Sequence, residues 1–226
     1  MKLYEVISPK NLKADAAAYV PQAFHKATTN RKGNLGFLGR GAFASVFSHR
    51  NRPASAFKVG IGDEEDIYVN YIAKVSQNER WKSNPYLPRV HSQKNYKDPG
   101  GGASYVVELE RLEPFMDIEP EEVEAIIDRA FHSLPQDRRA DLPRQYDVVE
   151  EISKAAQGNS QSIKNIKDKQ LLQAIAMIGN IGSRRYKDNQ YGKRKSGAMH
   201  IDIHTSNVMI RRTSVGPQLV ITDPLV

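Results

Sequence analysis

The chain changes character near residue 112, and that change constrains its fold more than any single motif. Between residues 33 and 112, short β-rich runs are punctuated by Gly, Asn and Pro. They are Leu35–Leu38, Ser45–His49, Ala54–Val59, Arg89–Gln93 and Tyr105–Glu110. One helical window, Asp63–Ser76, interrupts them; Ile67, Tyr71 and Val75 recur every four residues as one apolar stripe. Asp63, Glu64, Glu65 and Asp66 fill its first turn, where a helix end favours negative charge. Beyond Leu112 the periodicity is helical. It predicts helices over Glu119–Leu134, Tyr146–Gln157 and Ile163–Arg185, with Leu171, Leu172, Ile175, Ile178 and Ile181 as the buried face of the last. Gly179 and Gly182 either weaken that helix or permit close packing. Tyr186–Ser196 is polar and basic and reads as loop. Val208–Arg211 and Leu219–Thr222 form a closing hairpin across Thr213–Pro217. The expected class is α+β: a small antiparallel sheet with one helix, then a mostly helical region. Residues 1–32 carry no strand signal and read as a lead-in segment, giving a division into 1–32, 33–112 and 113–226.

Composition removes several chemistries. The chain has no cysteine, which excludes a disulfide scaffold, a thiol nucleophile, an iron–sulfur site and cysteine-ligated zinc. Its 226 residues suffice for a core without such staples. No apolar run approaches the roughly 18 residues of a membrane-spanning helix, and Met1–Lys10 lacks the apolar core of a signal peptide. A cytoplasmic location is therefore expected. With 33 Lys plus Arg against 26 Asp plus Glu, the net charge is +7. That balance favours acidic partners, whether nucleotides, nucleic acids or acidic proteins, without choosing among them.

Two clusters carry chemistry. Leu38-Gly39-Arg40-Gly41-Ala42-Phe43-Ala44-Ser45-Val46 lies between two predicted strands. A turn with few side chains lets backbone N–H groups approach phosphate oxygens. In Ala56-Phe57-Lys58-Val59 a lysine interrupts an apolar strand, so its ammonium requires a partner or a ligand. Glu64, Glu65 and Asp66 are the candidate acids, and the sequence does not separate them. The second cluster is Met199-His200-Ile201-Asp202-Ile203-His204-Thr205-Ser206-Asn207. Asp202 and Asn207 are five apart, so one compact loop can aim both into a cleft. Such an Asp can orient an attacking hydroxyl and accept its proton; such an Asn can hold a divalent ion on ATP phosphates. His200 is expected to brace the loop, and His204 to bring a donor or cation to the transferred phosphoryl group. Ile221-Thr222-Asp223-Pro224 follows, with Asp223 at the end of a buried strand. Asn207 and Asp223 together offer the oxygen ligands that magnesium prefers. His200, Asp202 and His204 can also be read as a zinc or iron cluster, but the stretch lacks a His-Glu-x-x-His order.

Gly39-x-Gly41-x-x-Ala44-x-Val46, Lys58, His200-x-Asp202-x-x-x-x-Asn207 and Asp223 stand in the order found in protein kinases. Asn84–Val90 resembles the turn entering the fourth kinase strand, Leu109 the gatekeeper, and Glu110–Leu112 the hinge that meets adenine. The chain is more specifically similar to the early serine/threonine protein kinases of T7-like short-tailed bacteriophages. The matching residues are Ser48-His49, Lys58-Val59-Gly60, Asp202-x-His204-x-x-Asn207 and Ile221-Thr222-Asp223-Pro224. The resemblance implies a bilobal kinase-like fold with an antiparallel-sheet N-lobe and a minimal helical C-lobe ending just after the metal-binding Asp. It implies ATP and magnesium as cofactors. Gly39, Gly41, Ala44, Val46, Lys58, Glu110 and Leu112 would contact the nucleotide. Asp202, Lys58 and His204 would be catalytic, and Asn207 and Asp223 would bind the metal. It also implies host bacterial transcription, translation or RNA-processing proteins as substrates. Ala44 stands where kinases carry a third Gly, Ile201 where they carry Arg, and Pro224-Leu225 where they carry Phe-Gly.

Three other functions compete. A kinase-fold enzyme could phosphorylate a small alcohol, or the fold could bind nucleotide without turnover. Arg184, Arg185, Lys187, Lys193, Arg194 and Lys195, interleaved with Tyr186 and Tyr191, form a basic cluster suited to nucleic acid or to acidic substrates. Trp81 reads as a loop aromatic, and Met116, Met177, Met199 and Met209 as core filler.

Overall fold

The computed structural model describes residues 35–40, 44–61, 67–97, 103–134, 142–188 and 201–225. Among these it is an α+β protein with an antiparallel sheet and six α-helices. The acids at positions 63–66, Gly41, His200, Met199 and the basic cluster beyond Asp188 lie outside the described residues. No helix among the described residues is long and apolar enough to cross a membrane. Contacts divide the chain into two compact units. The first holds the described residues up to Val69 together with Val90–Arg111; the second holds Asn70–Arg89 and the chain from Leu112 onward. Residues 70–89 thus group with the second unit, although they fall within the 33–112 segment of the sequence.

The first unit is a five-stranded antiparallel sheet in the order β1-β2-β3-β5-β4. Its strands are β1 (Leu35–Arg40), β2 (Ala44–His49), β3 (Arg52–Ile61), β4 (Val90–Lys97) and β5 (Ala103–Glu110). Strand alternation sorts its side chains into two faces. Phe47, Phe57, Val59 and Val106 form a buried cluster, against which Leu35 packs. Glu108 is buried at the end of this sheet, where Arg52 Nη1 donates to it at 2.7 Å and Ser55 Oγ at 2.9 Å. Burial raises its carboxyl pKa, but the hydrogen bonds from Ser55 and Arg52 and the charges of Arg52 and His91 outweigh burial and leave it lowered.

Helix α1 (Ile67–Gln77) buries Ile67, Tyr71 and Val75 as the periodicity requires, and Tyr68, Val69 and Ile72 as well. Two apolar faces, not one stripe, are covered. A short α2 (Glu79–Lys82) follows, capped by Asn78. Trp81 therefore lies in a helical turn, partly buried, with the Arg80 guanidinium 4.6 Å over its ring.

The second unit continues with α3 (Pro120–Ala130), α4 (Arg144–Ala156), α5 (Ser160–Asn165) and α6 (Lys169–Asp188). Its three-stranded sheet has the order β6 (Glu113–Pro114), β7 (Val208–Thr213), β8 (Gly216–Ile221). Helix α3 stops four residues short of Leu134 because Phe131 turns extended and bridges Ile166, while His132 N–H donates to Asn165 O at 2.7 Å. The same pairing divides the helix expected over Ile163–Arg185. Ile166 is extended, Lys167 N–H donates back to Ala130 O, and Asp168 Oδ1 restarts the helix by accepting from Gln170 and Leu171 N–H. Leu171, Ile175, Ile178 and Ile181 are buried as expected, whereas Leu172 is only partly so. The helix runs on to Asp188, past the loop expected from Tyr186. Gly179 serves close packing: a Cβ there would lie 2.8 Å from the Ala156 carbonyl oxygen. The final turn is tighter than Thr213–Pro217, since Thr213 pairs Gly216 and Gly216 takes a φ of 109°. Met177 is buried; Met116 and Met209 are only partly covered.

Candidate functional site

In the first unit the sheet register gathers the residues expected around a nucleotide. Val46 pairs Lys58, Lys58 pairs Val107, Ala56 pairs Leu109 and Ala44 pairs Gly60. Directly opposed residues share a face. Ala44, Val46, Ala56, Lys58, Val107 and Leu109 thus form one surface of small and aliphatic side chains around a single cation, on the face away from the Phe47–Phe57 cluster. Gly39 lies on β1 opposite Val46, next to an irregularity in the β1–β2 ladder, and a Cβ there would meet nothing within 4 Å. Gly41 is not among the described residues. Glu110 ends β5 opposite Ser55, and Arg111 N–H donates to Ala54 O at 2.8 Å. Leu112, the last expected nucleotide contact, falls in the second unit and is partly buried.

Lys58 is 9% exposed, and its Nζ stands 3.5 Å from the centroid of the Tyr68 ring. Tyr68 is itself buried and leans on Tyr105, with ring centroids 5.6 Å apart. Sequence reasoning assigned the lysine an acidic partner within residues 64–66, which lie outside the described residues, and it missed the aromatic one.

In the second unit Asp202, His204, Asn207 and Asp223 are joined largely through the main chain. Asp202 N–H donates to Pro224 O at 2.8 Å, and Ile201 bridges Leu225. Asn207 closes a 3-10 turn over Thr205–Asn207, its N–H reaching His204 O at 2.9 Å. Its Nδ2 donates to Asp202 O at 2.7 Å. The Asn207 carbonyl then accepts twice from Thr222, from N–H at 2.9 Å and from Oγ1 at 3.1 Å. Residues 202, 207 and 222 are thereby locked together one position before Asp223. The amide orientation set by the Asp202 carbonyl leaves Asn207 Oδ1 as the atom free to meet a cation.

His204 Nε2 is 3.5 Å from Asp202 Oδ2 and 3.0 Å from Asn207 Nδ2, and Nδ1 accepts from Ser206 N–H at 3.3 Å. The tautomer selects among these contacts: an Nε2–H ring donates to Asp202, an Nδ1–H ring accepts from Asn207. Both Asp202 and His204 side chains are nearly half exposed, so each is open to a substrate.

Strand β8 is anchored just ahead of Asp223. Tyr71 Oη donates to Ile221 O at 2.7 Å, and Ile221 N–H donates to Tyr86 O at 2.9 Å. Burial holds the Tyr71 phenol well above its usual pKa, with the Asp223 carboxylate adding to the effect, so it remains a donor. Arg211 fixes the segment bearing Tyr86 by donating to Pro85 O at 2.8 Å and Leu87 O at 2.9 Å.

Asn207 and Asp223 fit magnesium by donor chemistry: one amide oxygen and one carboxylate, with phosphate and water completing the shell. Among the described residues no group of three His, Asp or Glu gathers that could hold a metal alone. Comparison of the chain with protein-family models and with curated proteins finds no match.

Sequence reasoning treated Tyr71 only as core and did not single out Thr222 beyond its motif. A polar atom inside an otherwise apolar periodic position was the available signal for Tyr71.

Proposed function

We propose that the chain is an ATP-dependent serine/threonine protein kinase of phage type, with a kinase-like bilobal fold and host bacterial proteins as substrates. The observation that carries this reading is the constellation in the second unit. Asn207 donates to the Asp202 carbonyl and accepts from Thr222, tying the expected base to both expected metal ligands. Support also comes from the first unit, where one cation lies among small side chains on the face of an antiparallel sheet.

In this reading Gly39, Ala44 and Val46 line the triphosphate, and Lys58 pairs with its α and β phosphates. Glu110 and Leu112 flank the adenine. Asn207 and Asp223 hold magnesium, which would neutralise charge developing on the phosphates. Asp202 orients a Ser or Thr hydroxyl and accepts its proton as the oxygen–γ-phosphorus bond forms. The bond from γ-phosphorus to the bridging oxygen breaks, and ADP carries away that electron pair. His204, beside Asp202, supplies a donor to the transferred group. The protein contributes placement and charge compensation more than covalent chemistry.

The test is γ-phosphate transfer from labelled ATP into bacterial lysate by wild type and Asp202→Ala, with product sites read by mass spectrometry. Wild type should label Ser or Thr of proteins, and the variant should lose at least about 10³-fold in rate. Transfer only to small alcohols would replace the protein-kinase reading with a small-molecule phosphotransferase. Absence of both ATP binding and transfer would remove it altogether.

A further inference from the structure

A metal-binding carboxylate is aimed by the backbone that carries it. Asp223 follows β8, an edge strand of the three-stranded sheet. Ile221 pairs Val208 across the ladder, yet its N–H donates to Tyr86 O at 2.9 Å, away from β7. A residue in an antiparallel pair turns its N–H and C=O to the same side, so the Ile221 carbonyl also points off the sheet edge. Tyr71 Oη meets it there at 2.7 Å, from a helix 150 residues earlier in the chain. Tyr71 and Ile221 are both fully buried, so the hydroxyl serves this carbonyl where bulk water does not reach. The next amide is held from the other side: Thr222 N–H donates to Asn207 O at 2.9 Å. The Ile221 C=O and the Thr222 N–H belong to one planar trans peptide and point in opposite directions. Tyr71 and Asn207 therefore grip the two ends of a single rigid plate, one residue before Asp223. On the far side Pro224 confines Asp223 to extended backbone, and Pro224 O accepts from Asp202 N–H at 2.8 Å.

We infer that Tyr71 is a positioning residue for Asp223: its hydroxyl and the Asn207 carbonyl fix the Ile221–Thr222 peptide and so set the aim of the carboxylate that follows. The functional consequence rests on the reading of Asp223 as a magnesium ligand, but the grip on the peptide is a property of the free protein. Asn207 then has two parts in the site, one through its side chain and one through its carbonyl, and Tyr71 opposes the second. Magnesium demands near-ideal geometry, so a carboxylate whose backbone can tilt holds it less well. A Tyr71 hydroxyl that acts through Asp223 should therefore show its loss in the magnesium requirement. The KM for ATP at saturating magnesium should change far less.

The experiment uses the full chain as wild type, Tyr71→Phe and Gly179→Ala, each first checked for a cooperative thermal transition. Tyr71→Phe keeps the buried ring and removes the hydroxyl. Gly179→Ala controls for lost stability, since its Cβ would crowd the Ala156 carbonyl oxygen. Amide exchange of Thr222, relative to Val220 in the same strand, is followed by NMR without metal or nucleotide. The magnesium concentration for half-maximal phosphoryl transfer and the KM for ATP at saturating magnesium are then measured. Tyr71→Phe should raise the exchange ratio about 10-fold, as expected when a buried hydrogen bond is lost and the segment opens locally. It should raise the magnesium requirement about 5-fold and leave KM for ATP within about twofold. Gly179→Ala should leave the ratio and the magnesium requirement unchanged. An unchanged exchange ratio in Tyr71→Phe would overturn the grip. A raised ratio with an unchanged magnesium requirement would overturn its role at Asp223. Equal rises in Gly179→Ala would reduce Tyr71 to general stability and overturn the inference. A raised ratio in Tyr71→Phe, with no ATP binding by wild type, would uphold the grip and overturn the kinase reading instead.

Discussion

In the sheet unit the cation of the candidate site rests against side chains: Lys58 on Tyr68, Tyr68 on Tyr105, Tyr105 over Gly60. In the second unit the carboxylates and amide of the candidate site are framed by main chain. The Asp202 carbonyl, the Asn207 carbonyl, Thr222 N–H and the Pro224 carbonyl make the connections. The contrast follows from local structure. A strand interior has spent its N–H and C=O groups on its neighbours, so only side chains remain to place a charge. A loop leading into a strand has unspent backbone groups and can use them as a frame. A side-chain seat should therefore respond in a graded way to substitutions in its neighbours. A main-chain frame should fail steeply when the side-chain amide that enters it is lost.

The largest expected effect tests the frame directly. Asn207→Ala removes both the metal-directed oxygen and the donor to Asp202 O, and should lower kcat about 10²–10³-fold while raising the magnesium requirement. Steady-state rates across a magnesium titration read both. A loss confined to KM for ATP would show that Asn207 acts on nucleotide placement and would break the contrast with Lys58.

Gly179→Ala should cost about 1–3 kcal/mol of stability, because its Cβ would lie 2.8 Å from a backbone carbonyl oxygen, so that one helix must shift. For a chain of this length that is a drop of several degrees in thermal midpoint, measured by calorimetry. Phosphoryl transfer per folded molecule should not change. An unchanged midpoint would mean that the α4–α6 contact gives more readily than close packing allows.

Thr222→Val keeps the N–H to Asn207 O but removes the Oγ1 bond. It should lower kcat/KM about 5-fold, near the worth of one hydrogen bond, and Thr222→Ser should restore most of it. No change in Thr222→Val would show that the main chain alone sets the Asn207–Asp223 spacing, which sharpens the contrast.

The β runs of the first unit were legible because alternation and turn residues agree over each of them. Each observed strand contains most of its predicted residues and extends by a few. Asp202, Asn207 and Asp223 were legible because a short loop leaves little freedom between residues five apart. The break at Ile166–Asp168 was not, because apolar periodicity continues through it; only the partnership with Phe131 and Ala130, some 35 residues earlier, reveals it. Strand β6 is two residues long and contains Pro114, so it exists only by pairing with β7. The Tyr68 contact was hidden for a related reason. Tyr68 sits one position off the Ile67–Tyr71–Val75 stripe, and its ring meets a strand lysine ten residues away in sequence.

The smallest effect concerns Glu108, the buried acid of the sheet unit, and extends the side-chain half of the contrast to an anion. Arg52, Ser55 and Ser92 all reach its carboxylate; burial raises its pKa, but the hydrogen bonds from Ser55 and Arg52 and the charges of Arg52 and His91 hold it below the usual carboxyl value. A folded pKa below the unfolded one means the folded state favours the ionised form. Glu108 therefore contributes its full stabilisation above the unfolded carboxyl range and loses it as pH falls through the folded value. Urea denaturation from pH 7 down to pH 3 should show Glu108→Gln less stable than wild type by about 1 kcal/mol at neutral pH. The two curves should converge at the acid end. Parallel curves would mean that the four residues are placed by the strand ladders alone. The side-chain cluster would then be a consequence of the sheet and not one of its supports.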